Sequence, residues 1–405
     1  MLHSLTPPCI SQVINKILYR WKLAMKILFY DDSDVFGGHE KTLIDAVEYL
    51  INQTTLNLDF IFYEGNTRFS KYLTFIAEKD KQRVTLYPIN YHSSSLQGIK
   101  TLFSYKKINF IQTIINTSSP DIIVVVQGTI EISSLGLVAA NKSSYKTVSF
   151  IPLAFKMGNI GIKIGNLRDV INQYFYGLPN SFITISHNMK KELMQHKVPE
   201  EKINVVYCGI NANLYKYQDK ENSRTTYKIQ KDEYVIAVIG QIRFEQKGQD
   251  FLIETLSKYI TKLTKFKVLI VGDGVDLRAL QTIVDNQGLT DMVTFIPWLS
   301  DLSYIYSAID MLVIPSNYEG LPLVMLEAMY YGLPIIASSR DGMQEVLPDD
   351  WLFKCGDSES MITTLLRVKN MDNTEFINKN KNTIDTLFNV NIFGQTFLEK
   401  IMKLP

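Results

Sequence analysis

The chain has 405 residues, which is too long for one typical hydrophobic core and favours two domains. Its 42 lysines and arginines balance 41 acids to a net charge of +1, so the bulk charge does not favour nucleic acid as a partner. Three widely separated cysteines without metal-ligand spacing, and the lack of an apolar run of about 18 residues, predict a cytoplasmic protein without a membrane span.

Residues 1–24 form an N-terminal extension in which apolar side chains recur at helical spacing. The stripe consists of Ile10, Val13, Ile14, Ile17, Leu18 and Trp21, and the basic residues Lys16, Arg20 and Lys22 fall off it. One interpretation is an amphipathic helix that makes peripheral membrane contact through residues 10–23, at the inner face of the membrane. The alternatives are a helix that packs on its own domain and a dispensable extension ahead of a core that begins at Met25.

Residues 25–215 alternate short β-rich runs with amphipathic segments. Predicted strands cover 27–30, 58–63, 84–87, 122–126, 147–151, 182–185 and 205–207. Alternation of this kind predicts parallel strands joined by crossover helices. Residues 216–232 are charged and turn-rich without an apolar period, so we predict a domain linker there.

A second strand series begins after this stretch and covers 235–239, 268–271, 293–296, 312–314 and 334–337. Residues 233–382 are therefore predicted to form a second domain, and residues 383–405 a C-terminal helix. The predicted fold class is α/β, with two doubly wound Rossmann-like domains facing an interdomain cleft. Ligands of such sheets bind beyond the carboxyl ends of the strands.

The most informative motif lies between Ile314 and Ala337, where Glu319 and Glu327 stand eight positions apart. The preceding apolar run predicts a strand, Pro322 is placed to be the first residue of a helix, and Gly332 ends it. Glu319 then lies in the loop and Glu327 inside the helix. The free amides of Gly320, Leu321, Leu323 and Val324 can bind an anion where the helix dipole favours negative charge.

A second motif runs from Val238 to Asp250 and again ends a strand, forms a loop and opens a helix. Lys247 and Arg243 in such a loop can neutralise two phosphates and stabilise a departing diphosphate. After the first strand, the pair Gly37-Gly38 opens another helix and permits close approach of the backbone to a ligand. His39 follows this pair and is a candidate to face substrate, although a lone histidine is more often structural.

The string from Ile314 to Ala337 resembles the donor-site motif of the retaining GT-B glycosyltransferases of family 4. The resemblance covers nearly the whole chain from Met25 and implies a nucleoside diphosphate sugar as donor. It also implies that the C-terminal helix, 383–405, crosses back onto the first domain. It implies that Glu319 holds donor-sugar hydroxyls, Glu327 the ribose and Lys247 with Arg243 the diphosphate. The other positions that it implies are the Gly38 loop facing the phosphates, main-chain groups of Ile296 and Trp298 near the nucleobase, and the phosphate-binding turn Gly320, Leu321, Pro322 and Leu323.

The sequence departs from the family pattern in its first domain. The usual histidine is missing, because Gln127 follows the strand after Pro120-Asp121 and the next strand offers none. Arg243 is also displaced by two positions from the family arginine. The acceptor pocket is therefore assigned either to Gln127 or to a group on the glycine-rich loop 155–168. The triplet Asp32-Ser33-Asp34 matches the metal-binding D-x-D of the other glycosyltransferase fold, an interpretation that we reject from its position before the glycine turn.

The sequence thus predicts a retaining, metal-independent glycosyltransferase that transfers a sugar from a nucleoside diphosphate sugar to a glycan or lipid-linked acceptor, in polysaccharide or glycolipid biosynthesis. Retention would follow from attack on the face from which the leaving group departs, as the resemblance implies. No metal or other cofactor is expected. Two alternatives remain: a GT-B protein that binds sugar nucleotides without catalysis, and a sugar-nucleotide epimerase on a related scaffold.

Overall fold

The computed structural model describes residues 25–403, and the predicted amphipathic segment 10–23 lies outside them. The described chain divides into two compact units. Unit 1 comprises residues 25–184, 190–206 and 394–403, and unit 2 comprises residues 185–189 and 207–393. Within residues 25–403, no helix combines the length and the apolar character that a membrane crossing requires.

Unit 1 contains a seven-stranded sheet in which all neighbouring strands are parallel. The strands are β1 (Lys26–Asp31), β2 (Asn57–Tyr63), β3 (Val84–Ile89), β4 (Ile122–Val126), β5 (Lys146–Phe150), β6 (Ser181–Thr184) and β7 (Ile203–Val205). Their order is β3-β2-β1-β4-β5-β6-β7, so the winding direction reverses between β1 and β4. The loops after these two strands therefore meet at the topological switch point, where doubly wound sheets bind ligands.

The helices that cover this sheet are α1 (Gly38–Gln53), α2 (Thr67–Lys79), α3 (Gln97–Leu102), α4 (Tyr105–Ser118), α5 (Ser134–Lys142), α6 (Gly165–Tyr176) and α7 (His187–Gln195), whose first residues belong to unit 2. The central strand β4 is buried at all five positions, as expected for a sheet covered on both faces. Apolar residues of α4, α5 and α6 share one core cluster with these strands, so the three helices lie on the same side of the sheet.

Unit 2 contains a second parallel sheet of six strands. They are β8 (Tyr234–Ile239), β9 (Phe266–Val271), β10 (Val293–Ile296), β11 (Met311–Ile314), β12 (Ile335–Ser338) and β13 (Leu352–Phe353). The order β10-β9-β8-β11-β12-β13 places the switch point between β8 and β11. The prediction of two doubly wound α/β sheets is confirmed.

The helices between and after these strands are α8 (Lys220–Thr226), α9 (Phe244–Lys247), α10 (Gln249–Lys258), α11 (Leu277–Asn286), α12 (Ser303–Ala308), α13 (Leu323–Tyr331), α14 (Asp341–Val346), α15 (Ser358–Asn370), α16 (Thr374–Thr386) and α17 (Val390–Met402). From Gly394 onwards, α17 belongs to unit 1. There its Phe397 is fully buried against Phe150, with the two ring centroids 5.5 Å apart.

The stretch predicted as a linker, 216–232, instead lies inside unit 2 and contains α8. The guanidinium of Arg224 donates to the carboxylate of Asp310 over 2.6 Å, and Ser223 is buried. Its charges therefore bind partners in unit 2, which the lack of an apolar period did not indicate. Unit 2 also begins earlier than the predicted boundary, because the hydroxyl of Tyr207 donates to Glu345 and Ile210 forms a β-bridge with Asn389.

Candidate functional site

A small pocket lies at the switch point of unit 2. Strands β8 and β11 are neighbours there, and the loops after both strands contribute to the pocket. Its lining combines the apolar ends of the two strands with polar side chains of the loops, among them Lys247, Gln249, Ser316 and Glu319. Val324, in the first turn of α13, completes the lining, so the pocket adjoins a helix N-terminus.

The polar centre of this pocket is an ion pair between Lys247 and Glu319. The Lys247 Nζ lies 2.5 Å from Glu319 Oε1, and the Ser316 hydroxyl donates to the same oxygen over 2.8 Å. The side chain of Glu319 is only 7% exposed and that of Lys247 22% exposed. The structure thus brings together two residues that are 72 positions apart in the sequence and that were predicted to share a site.

Lys247 owes its position to the interlocking of α9 with the loop after β11. The Asn317 side-chain amide donates to the carbonyls of Phe244 and Glu245, and the Asn317 backbone amide donates to Gln246. The bonds to Glu245 and Gln246 satisfy carbonyls at the end of α9 that have no partner inside the helix, while the Phe244 carbonyl also accepts the Gly248 amide. Gly248 then adopts a φ of +62°, and a Cβ there would lie 2.3 Å from the Pro315 carbonyl oxygen. Any residue other than glycine would separate the two loops.

Glu319 is held from its other side by the start of α14. The Glu319 backbone amide donates to Asp341 Oδ2 over 2.9 Å, and the Gly342 amide donates to the Gly320 carbonyl over 3.1 Å. A Cβ on Gly342 would lie 2.1 Å from that carbonyl oxygen, so glycine is required for this close approach. The loop that carries Glu319 is therefore fixed by backbone contacts before any ligand binds.

The helix that follows Glu319 begins one residue later than predicted. Pro322 is the N-cap, with an extended ψ of 122°, and α13 starts at Leu323. The Pro322 carbonyl nevertheless accepts the Met325 amide over 3.0 Å, as an N-cap carbonyl does. The turn from Gly320 to Leu323 precedes the positive end of the helix dipole, which can bind a phosphate. Gly332 ends the helix with a φ of +69°, as predicted.

Arg243 does not line the pocket formed around Lys247. Its side chain is 45% exposed, and its guanidinium lies 3.6 Å from the exposed carboxylate of Glu245. Its backbone does contribute, because the Arg243 carbonyl accepts the Lys247 amide over 2.7 Å and thereby closes α9. To bind a diphosphate, the Arg243 side chain would have to turn away from Glu245 and into the pocket.

Glu327 lies inside α13 and is 2% exposed. The Tyr306 hydroxyl donates to Glu327 Oε2 over 2.6 Å, and the Tyr215 hydroxyl donates to Oε1 over 2.8 Å. Burial and the Glu327 charge raise the pKa of Tyr306 well above its usual value, so its hydroxyl stays protonated as a donor. A carboxylate oxygen can accept more than one hydrogen bond. Sequence reasoning identified neither tyrosine.

The segment predicted to frame a nucleobase lies at the end of β10. The Ile296 carbonyl accepts the Gly272 amide over 2.9 Å, which continues the sheet, while Trp298 is 44% exposed. The Trp298 amide donates to Asp273 over 3.4 Å. Asp273 also accepts the Ile242 amide at its backbone carbonyl, so the Gly272-Asp273-Gly274 turn supports the loop after β8.

The switch point of unit 1 carries the predicted glycine pair and His39. Helix α1 begins at Gly38, and Glu40 Oε2 accepts the Gly37 amide over 2.7 Å. The His39 ring lies beside the loop after β4, because a Cβ on Gly128 would be 3.2 Å from it. Burial alone would lower the pKa of His39, but the carboxylates of Glu40 and Asp31 outweigh it and raise the pKa to about 9.

The same group includes the atoms that could hold a cation. Within residues 25–403, ligand atoms of Asp31, His39 and Glu40 lie within 4.8 Å of one another. The ring Nε2 of His39 is 3.1 Å from Glu40 Oε1, and it also contacts the Ser33 hydroxyl at 2.9 Å. With a histidine pKa of about 9, the His39 ring is an imidazolium paired with Glu40 at neutral pH, while burial and the Glu40 charge raise the pKa of Asp31 to about 7.

The D-x-D triplet does not converge on one site. Asp32 is fully buried, and its oxygens accept bonds from the Tyr30 hydroxyl, the Ser93 hydroxyl and the Ser133 amide. Asp34, two positions later, is exposed. The two carboxylates therefore occupy different environments, and Asp32 serves to hold the loops at the end of β1.

Gln127 does not contribute a free group to an acceptor pocket. It is fully buried, its Oε1 accepts the Ser149 hydroxyl over 2.5 Å, and its Nε2 donates to the carbonyls of Ile130 and Ile132. Its amide is therefore used within unit 1. In the glycine-rich loop 155–168, Arg168 forms a bidentate pair with the buried Glu131, at 2.8 and 2.9 Å.

Comparison with known proteins finds relatives for the second half of the chain. Residues 219–383 match the model of the family described as "Glycosyl transferases group 1". An uncharacterized glycosyltransferase of Methanocaldococcus jannaschii, MJ1607, is 33% identical over 173 residues, which cover 41% of this chain and 44% of that relative. A D-inositol 3-phosphate glycosyltransferase of Mycobacterium marinum is 27% identical and matched over 45% of this chain and 40% of its own length. These alignments thus span less than half of the curated relatives.

A longer alignment exists with an uncharacterized glycosyltransferase of Haemophilus influenzae, which is 27% identical over 74% of this chain and 76% of the relative. Among solved structures, Anabaena Alr3699/HepE with UDP and glucose has a TM-score of 0.75 at 20% identity and covers 94% of this chain and all of its own. Sucrose-phosphate synthase of Thermosynechococcus elongatus has a TM-score of 0.76 at 18% identity, over 94% of this chain and 99% of its own. The chain therefore has the GT-B fold, and its residues 219–383 are similar to the glycosyl transferases group 1 family.

Proposed function

We propose that the protein is a retaining, metal-independent glycosyltransferase. It transfers a sugar from a nucleoside diphosphate sugar to a glycan or lipid-linked acceptor. The observation that carries this proposal is the Lys247–Glu319 ion pair at the switch point of unit 2, beside the N-terminus of α13. The region that matches the glycosyl transferases group 1 family contains both residues and Glu327.

The Lys247–Glu319 ion pair fits a site in which a bound diphosphate replaces Glu319 as the partner of Lys247. A bound diphosphate would take the Lys247 ammonium, assisted by the amides of Gly320 to Leu323 at the helix N-terminus. Glu319 would then be released to accept hydroxyl groups of the donor sugar, while Glu327 would accept a ribose hydroxyl between its two tyrosines. Until the donor binds, Lys247 compensates a carboxylate that would otherwise be buried without a counter-charge.

The proposed reaction uses the leaving group as its own base. The bond from the anomeric carbon to the diphosphate oxygen breaks while the acceptor hydroxyl forms a bond to the same carbon on the same face. The acceptor proton passes to a diphosphate oxygen, so neither a protein nucleophile nor a metal ion is required. Lys247 would stabilise the negative charge that develops on the diphosphate, which is the role of a preorganised cation in a transition state.

The donor class can be tested directly with a panel of nucleotide sugars, of which UDP-glucose is the first choice because the HepE structures contain UDP or UDP-glucose. We expect slow release of the free nucleoside diphosphate from one donor, and a loss of that release in Glu319→Ala. Binding of a donor without any release would identify a sugar-nucleotide-binding protein. Formation of an isomeric sugar nucleotide without an acceptor would identify an epimerase.

A further inference from the structure

The net charge of +1 conceals a strongly basic part of unit 1. Between Lys81 and Tyr176, where α6 ends, the chain has ten lysines and arginines and three acids, Asp121, Glu131 and Asp169. The remaining 309 residues have 32 bases and 38 acids. The three acids have partners within unit 1, because Asp121 accepts the Lys26 amide, Glu131 is buried against Arg168, and Asp169 accepts the amides of Met157 and Gly158. The surface of this region therefore presents mostly positive charge.

Exposed apolar side chains occupy the same region. At the junction between α3 and α4, Phe103 is 82% exposed, and Leu102 and Tyr105 beside it are exposed as well. Phe110 extends the series along the outer face of α4. Side chains of this size normally lie inside a protein, and a group of them on the surface indicates an interaction site.

Helix α6 has an apolar stripe on each of two opposite faces. Its inner face includes Phe175 and Tyr176, which are buried in unit 1. Its outer face, about half a turn away, carries Leu167, Val170 and Tyr174, all at least half exposed. A helix of a globular protein needs only one apolar face for its core, so the outer stripe has no role in the packing of unit 1.

These helices belong to one surface. Apolar residues of α4 and α6 join the same core cluster, which places both helices on one side of the sheet. Helix α3 lies directly on α6, because a Cβ on Gly98 would be 2.9 Å from the Asn172 side chain. We name this the basic-apolar face. It consists of Lys100, Leu102, Phe103, Tyr105, Lys106, Lys107, Phe110, Lys163, Ile164, Leu167, Val170 and Tyr174, all of which are exposed.

We propose that the basic-apolar face docks on the surface of a lipid bilayer that contains anionic phospholipids. Aromatic and aliphatic side chains on protruding helix faces can enter the boundary between headgroups and acyl chains, while neighbouring lysines contact lipid phosphates. A bilayer surface also explains why acids are few in this region, because a like charge beside anionic headgroups is repelled. A protein partner would tolerate exposed charges of both signs. This proposal does not depend on the donor chemistry of unit 2.

The electrostatic part is tested by co-sedimentation of the full chain with vesicles. One set contains phosphatidylcholine alone, and the other contains phosphatidylglycerol as about a third of the lipid. We expect sedimentation with the anionic set, weakened by high salt, and at least about tenfold weaker binding when Lys100, Lys106, Lys107 and Lys163 are all replaced by glutamine. The matched control replaces four exposed lysines of unit 2, Lys231, Lys258, Lys262 and Lys379, by glutamine and should bind like the wild type.

The apolar part is tested with Phe103→Ser/Val170→Ser, which changes side chains that are 82% and 73% exposed. This variant should bind anionic vesicles more weakly than the control Phe75→Ser/Val275→Ser, whose side chains are 54% and 82% exposed elsewhere. Equal thermal-unfolding midpoints of all four variants and the wild type would show that folding is unchanged.

Three results would overturn the proposal. The first is wild-type protein that does not sediment with anionic vesicles. The second is full binding by the quadruple lysine variant, which would assign any membrane contact to another segment, such as residues 10–23. The third is binding to soluble dextran sulfate without binding to vesicles, because a polyanion without an apolar phase would then account for the lysines.

Discussion

The two basic residues predicted to bind the diphosphate have different environments. Lys247 lies in the pocket against Glu319, whereas the Arg243 side chain is nearly half exposed beside Glu245. We expect Lys247→Gln to lower kcat/KM about 10²–10³-fold, as for the loss of one preorganised group that stabilises transition-state charge. Arg243→Gln should cost about tenfold or less, since a charge in water contributes little. Steady-state kinetics with saturating acceptor measure both values.

A control is needed because Lys247→Gln leaves the carboxylate of Glu319 buried without its partner. The double variant Lys247→Gln/Glu319→Gln removes both charges, and its denaturant midpoint should recover towards that of the wild type. Its activity should not recover. An Arg243→Gln loss as large as that of Lys247→Gln would contradict the ranking and show that Arg243 turns into the pocket when the donor binds.

His39 gives a prediction for pH. Glu40 and Asp31 raise its pKa to about 9 despite its burial, so a pH titration of its ring protons by NMR should place the midpoint more than one unit above the ordinary histidine value of about 6.5. Glu40→Gln removes the negative charge that raises the pKa of His39 most, and it retains an oxygen that can accept the Gly37 amide. The pKa of His39 should then fall by at least one unit.

The raised pKa of His39 also links stability to pH. The folded state binds this proton more tightly than the unfolded chain, so the contribution is complete below pH 6.5 and is lost as the pH rises through about 9. The change should be on the order of 2–3 kcal/mol, since each pKa unit corresponds to about 1.4 kcal/mol. A free energy of unfolding that stays constant from pH 6.5 to 9.5 would contradict the pairing of His39.

Among single residues, the sequence predicted the site positions that lie between a recognisable strand and the helix that follows it. Lys247 and Glu319 each lie between a strand and a helix, and the structure places them in contact. Tyr215 and Tyr306 were missed because they lie 112 and 21 residues from Glu327, and tyrosines of this kind form no motif. Gln127 was considered for the acceptor pocket because its bond with Ser149 is equally invisible in the sequence.

At the scale of elements, long apolar runs were predicted more accurately than short polar ones. Helix α13 ends at Gly332 as predicted, and its start differs by one residue because Pro322 serves as the N-cap. Helix α8 was missed because only Ser223 of its seven residues is buried, which leaves no apolar period to detect. A signal did exist, because Asp219 caps this helix and accepts the Asn222 amide over 2.7 Å.

Helix α17 provides a prediction at this scale. Phe397 is fully buried and meets the ring of Phe150 edge to face, so Phe397→Ala should reduce the free energy of unfolding by about 3–5 kcal/mol. Ile392→Ala in the same helix changes a side chain that is 38% exposed and should cost about 1 kcal/mol or less. Denaturant unfolding followed by circular dichroism compares the two. Equal losses would mean that α17 is not packed through Phe397.

For the whole molecule, alternating apolar runs and amphipathic segments were sufficient to predict two parallel sheets. The division into units was not predictable, because it depends on contacts between distant residues. Residues 185–189 belong to unit 2 since the Glu345 carboxylate accepts the amides of His187 and Asn188. Strand β13 has two residues and is too short to give a pattern.

If the proposed site needs no metal ion, a bound nucleotide should stabilise the folded protein equally with and without divalent cations. UDP at 100 times its dissociation constant should stabilise the folded state by about 2.7 kcal/mol. Two of the three tryptophans, Trp298 and Trp351, lie in unit 2, so in a Trp21→Phe background tryptophan fluorescence follows the unit that carries the proposed site. If Lys247 and the turn before α13 neutralise the diphosphate, the gain should be unchanged in EDTA and largely lost in Lys247→Gln. Stabilisation that disappears in EDTA and returns with excess Mg²⁺ or Mn²⁺ would show instead that a divalent cation bridges the phosphates.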